Sequence, residues 1–293
     1  MKLAAIDIGS NAMRLLITRV MTGNKTPEFK KVEFLRIPLR LGDDVFRDGK
    51  LGAEKKEMFM MAMQAFKLIM DIHKVEHYKA CATSAMREAT NGKQIIKSVL
   101  KKHDLKIDII SGEKESELIL RSVMEGINRK GNFINIDVGG GSTELTVIRN
   151  GKPTESVSFP VGTVRLMDDQ VTDATWSKLE AWVKARTHAL KEINALGTGG
   201  NISKLYRMSG AENGEFMSLS TLRSMHAKIK GMTLKDRIYQ LRLNPDRADV
   251  IEYAGEIYLR IMEWGQIQGI MAPSAGLKEG IILNLYESLE AKK

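Results

Sequence analysis

The sequence predicts an α/β protein built from two similar domains. Apolar runs of strand length alternate with segments of helical period along the whole chain. The order of these segments is βββαβαβα, and it occurs twice, the second time with an insertion. Each occurrence opens on a strand that ends in Asp-x-Gly: Ile6-Asp7-Ile8-Gly9-Ser10-Asn11, then Ile136-Asp137-Val138-Gly139-Gly140-Gly141.

Lys2–Ile8 is a short continuous apolar run, and so a strand. Ala12–Val20 resumes as a strand after the first glycine turn. Val32–Leu41 alternates through Leu35, Ile37, Leu39 and Leu41, which predicts a third strand. Glu54–Ile72 places apolar residues three and four apart. Its methionine-rich part, 58–70, reads as a buried core helix rather than a soft binding face. Tyr78–Thr83 is a strand, 85–102 is helical, and Ile107–Ile110 is a strand. Ser111 opens a helix whose apolar face is Ile119, Leu120, Val123, Met124 and Ile127.

The second pass repeats this order. Asn132–Asp137, Glu144–Arg149 and Thr154–Val161 are strands, and Thr175–Ile193 is a helix. Asn194–Leu196 is a short strand, and the loop Gly197-Thr198-Gly199-Gly200 leads to a helix from Asn201. A helical insertion follows, in which Pro245 suits a first helical turn. Gly269–Ala272 is a strand, and Ser274-Ala275-Gly276 opens the last helix, with Leu277, Ile281, Ile282, Leu285 and Leu289. No linker rich in Pro or Ser separates the halves. The expected boundary falls near 124–131, which makes domains of 1–126 and 127–293 with room for the last helix to pack back on the first.

The chain of 293 residues, 43% of them hydrophobic, can fill two cores. A single cysteine, Cys81, excludes a disulfide framework and a multi-cysteine zinc site. The first residues run straight into a strand without signal-peptide shape, and no apolar run reaches membrane-spanning length. The cytoplasm is therefore the expected compartment, with no membrane partner. Lys+Arg number 45 against 36 Asp+Glu, for a net charge of +9. That excess favours polyanionic partners: nucleic acid, polyphosphate, phosphorylated nucleotides or an anionic membrane. No RNA-binding aromatic motif or zinc finger is present and aromatics are only 6%, so nucleic acid is not expected. His73 and His77 have the i, i+4 spacing of a metal pair. Without a third ligand motif, a surface helix is the expected reading.

In both repeats the glycines join two strands, so neither is a Walker loop, and neither ends in Gly-Lys-Ser/Thr. A strand–glycine–strand turn presents backbone N–H groups at its tip. Without Cβ atoms a phosphate oxygen can approach that backbone closely. Ser10 and Ser142 can add hydroxyl donors. Asp7 and Asp137 end the preceding strands, where a carboxylate beside phosphate needs Mg²⁺ or a water to orient. Two such turns at equivalent points suggest two loops facing each other across a cleft.

The chain resembles the exopolyphosphatase/guanosine pentaphosphate phosphatase (Ppx/GppA) family. The resemblance is carried by "IDIGSNAMRLLI" (6–17), "ATSAMREA" (82–89), "ISGEKESELIL" (110–120), "IDVGGGSTEL" (136–145), "GTGGNISKL" (197–205), "DRADVI" (246–251) and "SAGLKEGII" (274–282). It covers essentially the whole chain, in the short form without C-terminal helical domains. Asp246 stands where the family commonly has glutamate. The resemblance implies two duplicated ribonuclease-H-like domains of the actin-like ATPase superfamily with an interdomain cleft, and a homodimer, since members often dimerise.

It also implies roles for residues. Glu115 aligns with the catalytic glutamate, a general base toward water. On its own it would read as an acid complementing a helix dipole, like Glu113. Glu144 and Asp137 become water-positioning or metal-linked residues, and Asp7 a weaker metal contact. Arg87 would hold phosphate through its guanidinium, whereas Arg14 and Arg247 fit structural roles as well. The phosphate-binding set is Gly9, Ser10, Asn11, Arg87, Gly139, Gly140, Gly141, Ser142, Thr143, Gly199 and Gly200, the last two at a helix N-terminus suited to anions.

The implied function is Mg²⁺-dependent hydrolysis of the terminal phosphate of linear inorganic polyphosphate, or alternatively of guanosine pentaphosphate (pppGpp). Readings from other classes are an ATP-dependent kinase, which needs an adenine pocket and an acceptor, and a non-catalytic polyanion-binding protein, which the net charge alone favours.

Overall fold

The computed structural model describes residues 1–22, 26–127, 131–190 and 192–291. The chain divides into two compact units: Met1–Ser122 with Gly276–Lys293, and Val123–Ala275. The expected boundary at 126/127 stands beside residues 128–130, which lie outside the described residues.

The first unit opens with β1 (Lys2–Ile8), β2 (Met13–Met21) and β3 (Glu28–Ile37). Then come α1 (Leu41–Asp48), α2 (Ala53–Ile72), β4 (His77–Ala82), α3 (Ser84–Glu88), α4 (Gly92–His103), β5 (Asp108–Ile109) and α5 (Gly112–Gly126). The sheet order is β3-β2-β1-β4-β5. β1 pairs antiparallel with β2 and parallel with β4. Central position explains why β1 reads as an unbroken apolar run, since both its faces are covered. Phe59, Met63, Phe66 and Met70 of α2 pack in one core with Ile6, Ile8, Leu15 and Ile17. Met58, Met61, Leu68 and Ile72 on the same helix are exposed, so the methionine-rich segment is core on one side only.

Three expectations are corrected here. The third strand ends at Ile37 rather than Leu41. Pro38 cannot donate to a ladder, and Arg40 turns left-handed (φ 53°) to start α1, which buries Leu39 and Leu41. The helical stretch 85–102 is two helices, broken where Asn91 accepts the Leu51 amide at 3.0 Å and donates to its carbonyl at 2.8 Å. His73 caps the end of α2 while His77 opens β4, so the pair shares no helix face.

The second unit contains β6 (Asn132–Val138), β7 (Thr143–Arg149), β8 (Lys152–Phe159), α6 (Thr163–Met167), α7 (Asp173–Thr187), β9 (Ile193–Thr198) and α8 (Gly200–Met208). Its helical insertion follows β10 (Met217–Ser218) and comprises α9 (Leu219–Lys230), α10 (Leu234–Tyr239), α11 (Pro245–Ala248) and α12 (Ile251–Trp264), before β11 (Gly269–Met271). The sheet order is β10-β11-β9-β6-β7-β8. Read from β8, it repeats the first sheet strand for strand and adds β10 at the far edge. α7 starts where the Thr172 hydroxyl accepts the Thr175 amide at 3.3 Å, and it stops at Thr187. Ile193, expected at its end, begins β9 instead, and residue 191 lies outside the described residues. Pro245 occupies the first turn of α11 as expected. α12 buries Ile257, Tyr258, Ile261 and Met262 completely. Its Tyr258 hydroxyl donates to Thr198 O at 2.7 Å and lies 3.2 Å from Ile136 O.

The last helix, α13 (Leu277–Glu290), is counted with the first unit and packs on β1, β2 and β4. It crosses α5 at Gly280, where a Cβ would stand 1.8 Å from Leu118 O. Ser122 Oγ accepts the Gly276 amide at 3.1 Å and holds the helix start. Among the described residues, no helix is long and apolar enough to cross a membrane.

Candidate functional site

The two glycine turns are built alike to the level of single hydrogen bonds. Gly9 N donates to Ala12 O at 3.2 Å, and Gly139 N donates to Ser142 O at 2.9 Å. Each hairpin is backed by the start of a short helix. Gly42 N of α1 donates to Ser10 O at 2.8 Å, and Val164 N of α6 donates to Gly140 O at 2.9 Å. Arg40 N reaches Asn11 O at 3.0 Å, while the Arg165 Nε reaches Gly141 O at 2.8 Å.

In the second hairpin a third carbonyl, Gly139 O, is taken by Thr163 N at 3.0 Å. No peptide bond among the described residues is cis. In a trans peptide plane the N–H of the next residue points opposite the carbonyl. The amides of Gly140, Gly141 and Ser142 therefore all point away from α6, and they donate to no acceptor among the described residues. Successive N–H groups presented in this way form an anion-binding concavity. Gly162 makes the arrangement possible: a Cβ there would lie 2.4 Å from Gly140 O and 2.5 Å from Gly141 C. Ser142 and Thr143 are buried, and Thr143 Oγ1 donates to Val161 O at 2.6 Å.

In the first hairpin Ser10 is buried, with its Oγ 2.8 Å from Ser84 Oγ and accepting the Ala85 amide at 3.2 Å. This ties the turn to α3. Asp7 and Arg14 are partners across β1 and β2, and Arg14 Nη1 donates to Asp7 Oδ2 at 2.7 Å. Asp7 Oδ1 faces the turn, 3.9 Å from where a Cβ on Gly9 would stand. On α3, Arg87 Nη1 donates to Ile110 O at 2.9 Å and lies 4.0 Å from Glu115 Oε2. The structure thus brings Arg87 and Glu115 together. Glu115 sits in the first turn of α5 with only 8% of its surface exposed. Its neighbours face solvent: the Ser111 hydroxyl lowers the Glu113 pKa, and Lys114 lowers that of Glu117 by a hydrogen bond. Cys81 is buried, and burial pushes its thiol up to about 12, which removes it as a nucleophile.

The position of Arg14 is taken in the second unit by Glu144, directly opposite Asp137 on β6 and β7. Cross-strand partners share one face of a sheet, and like charges there repel. Glu144 is 2% exposed and accepts the Ser158 hydroxyl at 2.8 Å. Asp137 Oδ1 accepts the Thr198 hydroxyl. Two carboxylates at adjoining positions offer hard oxygen donors, the set that suits a hard divalent cation. At the end of β9, Gly199 adopts φ 100°, which favours glycine, and a Cβ there would lie 3.6 Å from Asp137 Oδ1. Gly197 and Thr198, expected in the loop, belong to β9, and α8 begins at Gly200.

Sequence reasoning missed the supporting residues Ser84, Ser158, Gly162, Arg165 and Thr198. The one available signal was Pro38 and Pro160, each at the same distance behind its hairpin's third strand.

Residues 17–289 match the Ppx/GppA phosphatase family. Among curated relatives, a bifunctional 3-dehydroquinate synthase/phosphatase of Fusobacterium nucleatum is 31% identical over 206 residues. That stretch is 66% of this chain, and the chain spans 31% of that relative's length. Exopolyphosphatase 1 of Mycobacterium leprae is 26% identical over 318 residues, covering 98% of this chain and 90% of the relative. A solved exopolyphosphatase from Cytophaga hutchinsonii shares the fold, with a TM-score of 0.86 at 21% identity over 98% of each chain. With the family matched over nearly its whole length and the fold shared end to end, the chain belongs to the Ppx/GppA phosphatase family and is a phosphatase.

Proposed function

We propose that this protein is an exopolyphosphatase, removing the terminal phosphate of linear inorganic polyphosphate. The observation that carries the reading is the trio of outward amides at Gly140, Gly141 and Ser142, held by the three carbonyls that face α6. Fixed N–H donors of this kind stabilise charge on the equatorial oxygens of a phosphoryl group without reorganising. Asn11, Gly199 and Gly200 add phosphate contacts in this reading, and the Arg87 guanidinium adds a charged donor. Gly9, Gly139 and Thr143, expected among the contacts, instead shape the hairpins, their donors being spent on Ala12 O, Ser142 O and Val161 O.

Glu115 is the general base. It takes a proton from water as the water oxygen bonds to the terminal phosphorus. The anhydride P–O bond breaks, orthophosphate leaves, and the shortened chain keeps the bridging oxygen. Asp137 and Glu144 would hold Mg²⁺, and the ion, when bound, would offset phosphate charge. Asp7, expected as a weaker metal contact, is paired with Arg14. The opposed carboxylates of Asp137 and Glu144 support this assignment, because a cation relieves their repulsion. A lone buried thiol fits a reducing cytoplasm.

The test is phosphate release by the purified protein in Mg²⁺ from long-chain polyphosphate, tripolyphosphate and pppGpp. The expected result is release from the polymers, abolished by removing the divalent ion with a chelator. A clear preference for pppGpp would replace the substrate, and silence on all three would overturn the reading.

A further inference from the structure

The hairpin amides account for a few phosphates, yet the second unit carries another cationic feature beside them. Thr198 pairs with Asp137 across β9 and β6, so α8 starts next to the end of β6. Gly200 opens α8, and Lys204 and Arg207 follow it at i+4 and i+7, on one helix face. At about 1.5 Å per residue, they stand about 6 and 10 Å along the helix from Gly200. The Arg247 guanidinium covers the first turn, where a Cβ on Gly200 would meet its Nη2 at 2.8 Å. Arg242, exposed on the turn before α11 with φ 51°, completes the group.

These cations are close enough to act on one another. Partial burial of Lys204, and then the charges of Arg207, Arg247 and Arg242, lower its ammonium pKa. Arg247 has partners of its own, and elsewhere in this unit cations are matched with acids: Arg223 with Glu263, Arg260 with Glu256, Arg186 with Glu155, Arg237 with Glu252. Lys204, Arg207 and Arg242 make no ion pair among the described residues. Arg207 spends its Nε on the Ser203 carbonyl at 3.2 Å. A group of like charges is a standing repulsion that a polyanion removes.

We propose that Lys204, Arg207 and Arg242, continuing from Arg247 along α8, form a chain-length-reading subsite that binds phosphates of the polymer beyond those at the glycine hairpin. The inference rests on the polyphosphate reading of the hairpin site. Tripolyphosphate is spent at the hairpin and gains nothing from the subsite, whereas a long polymer reaches all three cations.

The test compares wild type with the Lys204→Glu/Arg207→Glu/Arg242→Glu triple variant and with Arg207→Glu alone. Binding of long-chain polyphosphate is read by calorimetry at two salt concentrations, and phosphate release from long polymer and from tripolyphosphate is read alongside. The triple variant is expected to bind long polymer at least about tenfold more weakly, with a shallower salt dependence. Its release from tripolyphosphate is expected to stay within about twofold of wild type. Arg207→Glu is expected to give a smaller loss in the same direction. Equal binding of long polymer by wild type and triple variant would overturn the subsite. So would a matching loss on tripolyphosphate in a variant with native circular dichroism. If wild type releases phosphate from neither substrate, the catalytic reading fails, and the binding comparison still decides the subsite.

Discussion

Glu115→Gln is expected to fold, to bind polyphosphate with near wild-type affinity, and to lose about 10²–10⁴-fold in kcat. The substitution keeps the shape of the side chain and removes only its ability to accept a proton. Its surroundings favour this outcome. Glu115 is buried in the first turn of α5, with Arg87 Nη1 at 4.0 Å. The exposed alternatives at Glu113 and Glu117 are engaged with Ser111 and Lys114. Steady-state kinetics with a parallel melting curve would check it. A kcat within a few-fold of wild type at unchanged stability would remove Glu115 from the mechanism.

Gly162→Ala is expected to cost about 3 kcal/mol of stability and to cut kcat/KM more than that loss explains. Its φ of −142° suits any residue, so the effect is steric. The added methyl would meet Gly140 O at 2.4 Å and the carbonyl carbons of Gly140 and Gly141 at 2.5 Å, all of them backbone. Either α6 or the hairpin must move. Movement breaks the Thr163–Gly139 and Val164–Gly140 hydrogen bonds that aim the three amides. Losing fixed donors of this type is worth about 10²–10³ in rate. The check is thermal unfolding together with kinetics at a temperature where the variant is fully folded. Wild-type kcat/KM in a folded variant would mean that α6 does not set the hairpin's geometry.

The strand–turn–strand units were legible because a glycine run between two apolar strands leaves a local signal. The repeat was legible because the signal occurs twice. What escaped was held by contacts distant in sequence. α1 and α6 have 8 and 5 residues and follow prolines. Their caps, Arg40 and Gly162, make no side-chain cap hydrogen bond, so the usual helix-start signature is missing. Gly162 reads as one more loop glycine until it is seen against Gly140. The exchange of Arg14 for Glu144 is visible in the sequence, but strand register is what turns one Asp–Arg pair and one Asp–Glu pair into a meaningful difference. Thr198 and Ser158 were invisible for the same reason, since they reach Asp137 and Glu144 across neighbouring strands.

The central claim is that water attacks the terminal phosphorus of a polyphosphate chain. The most direct measurement is hydrolysis of long-chain polyphosphate in ¹⁸O-labelled water with Mg²⁺, followed by mass analysis of the products at low conversion. The account predicts that each orthophosphate released carries one ¹⁸O and that the remaining chain carries none. Label in the remaining chain, or shortening of the chain only when a phosphoryl acceptor other than water is supplied and becomes phosphorylated, would contradict it.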